Sequence, residues 1–383
     1  MSDRPGTRLG LVSLGCDKNT VDSERLLAAL LGHGAHRVDD LLDAEVILVN
    51  TCGFIDAAKE ESIETLLEAA RLKEEGRCRA VVAVGCMVER HREEMEASLP
   101  EVDLFLGLRD LERLIPELRA RGLLGTGAEA DEADRAEAGS RIHRGERVLL
   151  RRARHVRYLK VSEGCDHGCA FCAIPLWRGR HRSFDAGRLV AEAQRLEAQG
   201  TVEVNLVAQD LAHYGRDRRD GTDIAVLLRR LIEETSIPWF RLLYIYSAGL
   251  REPLVEMMAS EPRLLPYVDM PIQHASDPVL ERMRRPERAE PLRDKIARLR
   301  VSVPDLTLRT TVLVGFPGET ERDFRALLDF VEDVRFDRLG AFEFSPQEGT
   351  RAAALSGDLR VPADVARERL EELLEVQRAI SAE

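Results

Sequence analysis

Apolar positions fall into short continuous runs separated by stretches with a single apolar face. Leu9–Leu14, Glu45–Asn50 (EVILVN), Arg79–Val84 (RAVVAV) and Val102–Leu106 read as strands, and SERLLAALLGHG from Ser23 and Ala57–Glu75 read as helices. Strands apolar at nearly every position need cover on both faces. Alternation with amphipathic helices supplies it, so the pattern predicts a doubly wound parallel sheet of flavodoxin-like kind.

From Gly125 to Arg147 the pattern lapses. GTGAEADEADRAEAGSRIHRGER is polar, acidic and rich in small residues, and reads as a solvated linker or long surface loop. Beyond it the alternation resumes, with strands expected at Tyr158–Val161, Val202–Val207, Arg241–Ile245, Val268–Met270, Leu308–Val314 and Leu339–Phe344. Helical patterns lie between most of them, at Ala186–Ala198, Ile224–Glu234, Glu252–Ala259, Val279–Arg284 and Glu321–Val331. Six such β/α units predict a parallel partial β/α barrel, with a doubly wound open sheet as the alternative. A last helix runs from Pro362 to about Ile380. The expected domains are therefore 1–124, a linker at 125–147, and 148–383 with the final helix.

Bulk composition changes this picture little. A chain of 383 residues, 44% hydrophobic and 32% charged, suits a soluble protein of two domains. No run approaches the roughly 18–20 apolar residues of a membrane span. The polar N-terminus, Met1–Gly10, lacks the apolar centre of a signal peptide, so the cytoplasm is the expected compartment. A net charge of −12 lowers the expectation of RNA as main partner and favours a basic protein.

The seven cysteines carry more. Cys165, Cys169 and Cys172 stand at the spacing C-x₃-C-x₂-C, directly after the first strand of the second region. A loop there sits at the carboxyl end of a barrel strand, where β/α enzymes keep their active sites. Three thiolates can ligate three irons of a [4Fe–4S] cluster and leave the fourth open to a substrate. A closed zinc site wants four ligands, and His167 is poorly placed to be the fourth.

Three further cysteines share a position. Cys16 follows the first strand, Cys52 the second and Cys86 the third, each just past a carboxyl end. Those ends converge on one edge of a parallel sheet, so three thiols distant in sequence meet in one crevice, enough for a second cluster. Gly15, Gly53 and Gly85 adjoin them and suit tight turns. The bland alternative is three small hydrophobes ending buried strands. Cys78 fits neither set and reads as structural.

With Phe171 before its last cysteine, the first trio resembles the radical S-adenosylmethionine signature, and the region before it resembles the N-terminal domain of the methylthiotransferases. The resemblance runs from Leu9 to about Ile380. Several stretches are similar to the RimO branch, which acts on a ribosomal protein: VSLGCDKNTVDSE, NTCGFIDAAKEESI, LVAQDLAHYG, VDMPIQHASDPVLERMRR, LRTTVLVGFPGET and FSPQEGT. The resemblance implies two [4Fe–4S] clusters, with S-adenosylmethionine serving as both radical source and methyl donor. The cluster on Cys165, Cys169 and Cys172 would cleave it to a 5′-deoxyadenosyl radical. The cluster on Cys16, Cys52 and Cys86 would hold the sulfur to be methylated and transferred. The implied substrate carbon is Cβ of an aspartate in small-subunit ribosomal protein S-twelve. An electron donor such as flavodoxin or ferredoxin and a sulfur source are implied too, with RNA contact only secondary. Two domains facing each other across the linker would give both clusters one water-poor cavity.

The resemblance also marks Phe171, Gln209, Arg309, Thr310 and Gly315 as cofactor-binding candidates, Gly315 opening the turn GFPGET with Thr320 as a helix cap. Asp210, Gln273 and His274 also stand at strand ends, where His274 is as readily a hydrogen-bonded surface group as a functional one. Arg178 and Arg180 could contact an acidic substrate side chain or RNA, but as two isolated arginines they read first as solvated loop residues. Members of the family usually continue into a small β-barrel, the TRAM domain, and this sequence stops at Glu383 without one. The alternatives are methylthiolation of adenosine in tRNA, a cobalamin-dependent radical methyltransferase, and a non-catalytic iron–sulfur or zinc protein. Against cobalamin, the first 125 residues lack D-x-H-x-x-G, and His33, His36 and His91 lack its context.

Overall fold

A computed structural model describes residues 6–125, 146–150, 155–355, 357 and 359–383. Of the expected linker, 126–145 lie outside the described residues. The chain divides into two compact units, Met1–Ala153 with Leu176–Arg178, and Arg154–Pro175 with Gly179–Glu383.

In the first unit, strands β1 (Thr7–Ser13), β2 (Ala35–Arg37), β3 (Val46–Thr51), β4 (Ala80–Gly85) and β5 (Leu104–Leu106) form one sheet in the order β2-β1-β3-β4-β5. Every neighbouring pair is parallel. This is the doubly wound, flavodoxin-like order expected. All residues of β3 and β4 are buried, because helices cover both faces. One apolar layer packs Leu26, Leu30 and Ile115 on Val82 and Val84; the other packs Leu66, Met87 and Met95 on Ile47, Val49 and Val81. Each fully buried Val, Leu or Ile contributes about 1.5–3 kcal/mol. The short edge strand β2 was not expected, since AHR carries no apolar run and only Ala35 is buried.

Helix α1 (Asp17–Gly32) begins six residues before the apolar periodicity at Ser23. Its first turns are polar yet buried at Lys18 and Asn19, so periodicity could not mark the start. Hydrogen bonds replace apolar packing there: Asn19 Nδ2 donates to the carbonyls of Leu14 (3.1 Å) and Thr51 (3.0 Å), and Asn50 Nδ2 to Asn19 O (3.1 Å) and Ser23 Oγ (2.8 Å). Helices α2 (Asp56–Glu75), α3 (Cys86–Ser98) and α4 (Leu114–Ala120) complete the unit. The backbone of 148–150 runs beside α1, with Val148 N on Glu24 O at 3.1 Å and Leu150 N on Glu24 Oε1 at 3.1 Å.

The second unit carries six parallel strands: β6 (Val156–Lys160), β9 (Glu203–Val207), β10 (Trp239–Leu242), β11 (Leu264–Asp269), β12 (Thr307–Val314) and β13 (Arg338–Glu343). Between β6 and β9 lies a short antiparallel pair, β7 (Ser162–Glu163) and β8 (Arg182–Ser183). The six pair in strict chain order, and among the described residues β6 and β13 have no outer partner, which makes the sheet an open arc of β/α units. Along β12 buried and half-buried positions alternate, so Arg309, Thr311 and Leu313 share one face and Thr310 and Val312 the other.

Helix α5 (Ile174–Arg178) follows the cysteine loop. Helices α6 (Ala186–Ala198), α7 (Ile224–Glu234), α8 (Glu252–Ser260), α9 (Asp277–Arg282), α10 (Ala289–Ser302) and α11 (Glu321–Val334) link the strands. Thr320 caps α11 in a capping box with Asp323, as the sequence suggested. Helix α10 was not anticipated; its three buried apolar residues, Leu292, Ile296 and Leu299, are diluted by charges. After the short α12 (Arg351–Leu355), helix α13 (Ala363–Ala382) closes the unit. Among the described residues no helix is long and apolar enough to cross a membrane.

Candidate metal centres

In the first unit the three expected cysteines stand at adjoining strand ends. Cys16 occupies the cap position before α1, Cys52 follows β3, and Cys86 is the first residue of α3, directly after β4. Between β1 and β3 the strand order reverses, so Cys16 and Cys52 flank the switch point where open α/β sheets bind ligands. Glycine is required at two approaches. Gly85 has φ 106° and ψ −161°, a conformation essentially reserved for glycine, and a Cβ there would lie 2.3 Å from Asn50 Oδ1. Gly15 (φ 80°) lies so close to Cys52 that a Cβ would meet its sulfur at 2.8 Å.

The crevice is polar around its sulfurs. Arg178, which belongs to this unit, is buried. Its Nη2 donates to Asn19 Oδ1 (2.8 Å) and Cys86 Sγ (3.2 Å), and its Nη1 to Asp22 Oδ2 (3.2 Å). The solvated-loop reading of Arg178 is therefore wrong: a planar fork with three acceptors holds it inside. Burial pushes the Cys86 thiol up to about 11, opposed by Arg178 and reinforced by Cys16 and Cys52. Burial also raises Cys52. Thiols at three adjoining strand ends form a donor set suited to a soft metal, which would displace their protons.

The second triad is local. Gly164 (φ 73°) turns the chain off β7, Cys165 N donates to Gly179 O (3.1 Å), Cys172 N to Cys169 O (3.2 Å), and Ala170 N to Met283 O (2.9 Å). Burial pushes Cys165 up to about 11 and Cys172 up to about 12, and the neighbouring thiols add to both. These sulfurs suit iron for the same reason. Cys169 Sγ lies 2.7 Å from Tyr246 Oη and 3.9 Å from Arg285 Nη1.

His167, inside this loop, turns to Asp210. Asp210 Oδ2 accepts from His167 Nε2 (2.8 Å) and His213 Nδ1 (3.0 Å). Burial alone would raise the Asp210 carboxyl, but these bonds outweigh it and hold it well below the usual range. The three side chains are close enough to grip a metal ion, but they already satisfy one another through hydrogen bonds around the buried Asp210.

The remaining candidates are placed as follows. Phe171 is half-buried against the cluster of Ala170, Val279, Met283 and Phe316. Gln209 is half-buried just past β9. Arg309 pairs with Asp269 at 2.7 Å on the half-exposed face of β12. Thr310 is on the opposite, buried face, its hydroxyl donating to Met270 O (2.8 Å). Gly315 (φ 72°) packs on α13, where a Cβ would meet Ala366 Cβ at 2.6 Å. In the same turn Glu319 is buried and accepts from Arg369 of α13 (2.9 Å) and from Phe316 N (3.2 Å). His274 is fully buried, its Nε2 3.6 Å from Glu319, so it is no surface group. Arg180 is exposed and reaches Asp166 at 3.4 Å.

Two family models match the chain, the Uncharacterized protein family UPF0004 over residues 8–107 and the Radical SAM superfamily over 159–331. The ribosomal protein uS12 methylthiotransferase RimO of Anaeromyxobacter sp. (strain K) is 47% identical over 378 residues, 98% of this chain and 78% of the relative. The protein of that name from Desulforudis audaxviator is 44% identical, over 98% of this chain and 82% of the relative. The chain belongs to the RimO family.

As a RimO-family protein it is a radical S-adenosylmethionine methylthiotransferase, an enzyme that uses S-adenosylmethionine and [4Fe–4S] clusters. Among solved structures it is similar to the radical methyltransferase TsrM from Kitasatospora setae, with a TM-score of 0.64 at 15% identity, covering 97% of this chain and 89% of that one. The cobalamin-dependent enzyme OxsB is also similar, with a TM-score of 0.57 at 14% identity, covering 98% of this chain and 56% of that one. At such identity the likeness is one of fold. Sequence reasoning missed Tyr246, His213, Asn19 and Arg285 of this RimO-family chain. Tyr246 stands past the end of β10, as Gln209 does past β9, and that rule could have found it.

Proposed function

We propose that this enzyme adds a methylthio group to Cβ of an aspartate in ribosomal protein uS12, with one cluster on Cys165, Cys169 and Cys172 and a second on Cys16, Cys52 and Cys86. The observations that carry the reading are the positions of Cys16, Cys52 and Cys86 just past the ends of β1, β3 and β4 and the C-x₃-C-x₂-C loop of Cys165, Cys169 and Cys172, in a chain 47% identical to a RimO over 98% of its length. When bound, the clusters and S-adenosylmethionine supply one-electron cleavage to a hydrogen-abstracting radical, together with the sulfur and methyl to be transferred.

The chain's own residues hold and shield these groups. In this reading 1–124 carry the second cluster and 148–383 the radical core. The C-x₃-C-x₂-C loop keeps three sulfurs on one short arc, and Phe171 keeps water from its last member. Gln209 and Arg309 offer an amide and a guanidinium to the polar end of S-adenosylmethionine. Thr310 and Gly315 act on the scaffold, the hydroxyl of the first tying the end of β11 to β12 and the second seating its turn on α13. A net charge of −12 favours docking of a basic ribosomal protein. The reaction belongs in the cytoplasm, with a small flavin or iron–sulfur protein as electron donor and a separate sulfur source.

Mass spectrometry of uS12 and of tRNA nucleosides from a deletion strain, with and without the gene restored, tests the substrate. The expected result is loss of 46 Da (about one added CH₂S) from the uS12 aspartate. Loss of methylthio from tRNA with uS12 still modified would overturn it.

A further inference from the structure

The contact between Tyr246 and Cys169 is built from both sides. Helix α9 ends in a Schellman motif, with Arg284 N donating to Glu281 O (2.9 Å) and Arg285 N to Leu280 O (2.8 Å). Arg284 takes the left-handed position (φ 56°) that glycine usually fills. The motif fixes Arg285, which is buried and donates to Pro271 O (2.8 Å) and pairs with Glu287 (3.1 Å). On the other side the chain leaves β10 through Tyr244, held at φ 64°, a conformation that costs a bulky residue about 1–3 kcal/mol. That bend is clamped by Leu211 N on Tyr244 O (3.0 Å) and Ile245 N on Asp269 O (2.8 Å), and it brings Tyr246 N to Asp210 Oδ1 (3.3 Å).

The Tyr246 ring is then sandwiched. His167 stacks on it at 3.8 Å with 6° between planes, and the Arg285 guanidinium carbon lies 3.9 Å from the same centroid. Two groups at those distances cannot share one face, so they take opposite faces. Asp210 holds His167 and Glu287 holds Arg285, which leaves the phenol one direction to point, at Cys169.

We infer that Tyr246 is a positioning residue for the radical cluster: its hydroxyl donates to Sγ of Cys169, and Arg285 supports that sulfur from 3.9 Å. The inference rests on the reading that Cys169 ligates iron. A ligating thiolate carries no proton, so the phenol must be the donor. A hydrogen bond to a cluster sulfur stabilises the more negative, reduced state and raises the reduction potential. Neither Tyr246 nor Arg285 needs to touch the reacting atoms to have this effect.

The test is a dithionite redox titration of the full-length, anaerobically reconstituted protein, followed by electron paramagnetic resonance, in wild type, Tyr246→Phe and a variant with 3,5-difluorotyrosine at 246. A Cys16→Ala/Cys52→Ala/Cys86→Ala background isolates the signal of the second unit. Tyr246→Phe keeps the ring sandwich, so iron content is retained and the midpoint falls. The fluorinated phenol, a stronger donor of the same shape, moves the midpoint upward and serves even if the Phe variant folds poorly. Equal midpoints in all three would overturn the role of Tyr246. Absence of any cluster from the wild type would instead defeat the cysteine assignment.

Discussion

The two cysteine triads solve one problem in opposite ways. Cys165, Cys169 and Cys172 lie within one short loop, so their mutual placement is settled by local turns. Cys16, Cys52 and Cys86 are brought together only when β1, β3 and β4 pair in register, for example Ser13 with Asn50 and Thr51 with Gly85. The local triad is propped by side chains that touch its sulfur, Tyr246 and Arg285. The distant triad also has a guanidinium on one sulfur, Arg178 on Cys86, but depends besides on backbone that side chains must not crowd, at Gly15 and Gly85, and on a buried amide network through Asn19 and Asn50. A nearby loop can tolerate an imperfect scaffold; three strand ends cannot.

Substitutions can separate these behaviours, the largest effect coming from the local triad. Cys169→Ala should lower iron from about eight to about four per chain and reduce S-adenosylmethionine cleavage to background, measured by iron counting and product chromatography. Cys52→Ser should also halve the iron yet leave that cleavage intact while abolishing methylthio transfer. If it stopped cleavage too, the triads would not be functionally separable. Gly85→Ala should destabilise the first unit by about 1–3 kcal/mol from its backbone conformation alone, with more from the clash with Asn50. It should deplete only the iron held by that unit, as thermal unfolding and iron analysis would show. Smallest, Asn19→Ala strips donors from the carbonyls of Leu14 and Thr51 and should cost about 1–3 kcal/mol. It should leave the redox titration of the other triad unchanged.

The first sheet was legible in the sequence because β1, β3 and β4 carry continuous apolar runs, the second because strand and helix patterns alternate along it, and the positions of six cysteines could be read off as the residues that follow strands. What was missed has physical reasons. The start of α1 is buried through hydrogen bonds, so no apolar period announces it. Strand β2 is an edge held by backbone pairing, and α10 hides three apolar residues among charges. Arg178 looks solvent-bound as a letter, and only its three acceptors reveal otherwise. Tyr246 depends on a strained bend at Tyr244 and a sandwich of residues from 167 and 285, neither of which leaves a local signature.

The pairing of Glu319 with Arg369 also sets a schedule. The two residues are 50 positions apart, and a ribosome making about 5–20 residues per second takes roughly 3–10 s to cover that distance. Until then the GFPGET turn has a carboxylate destined for burial and no guanidinium to meet it, a lack worth about 3–5 kcal/mol in a finished fold. Ala366, on which Gly315 seats, is likewise still unmade. The turn that follows β12 can settle only as the last helix emerges, so the nascent second unit passes several seconds with that turn uncovered, the interval in which a chaperone would find it.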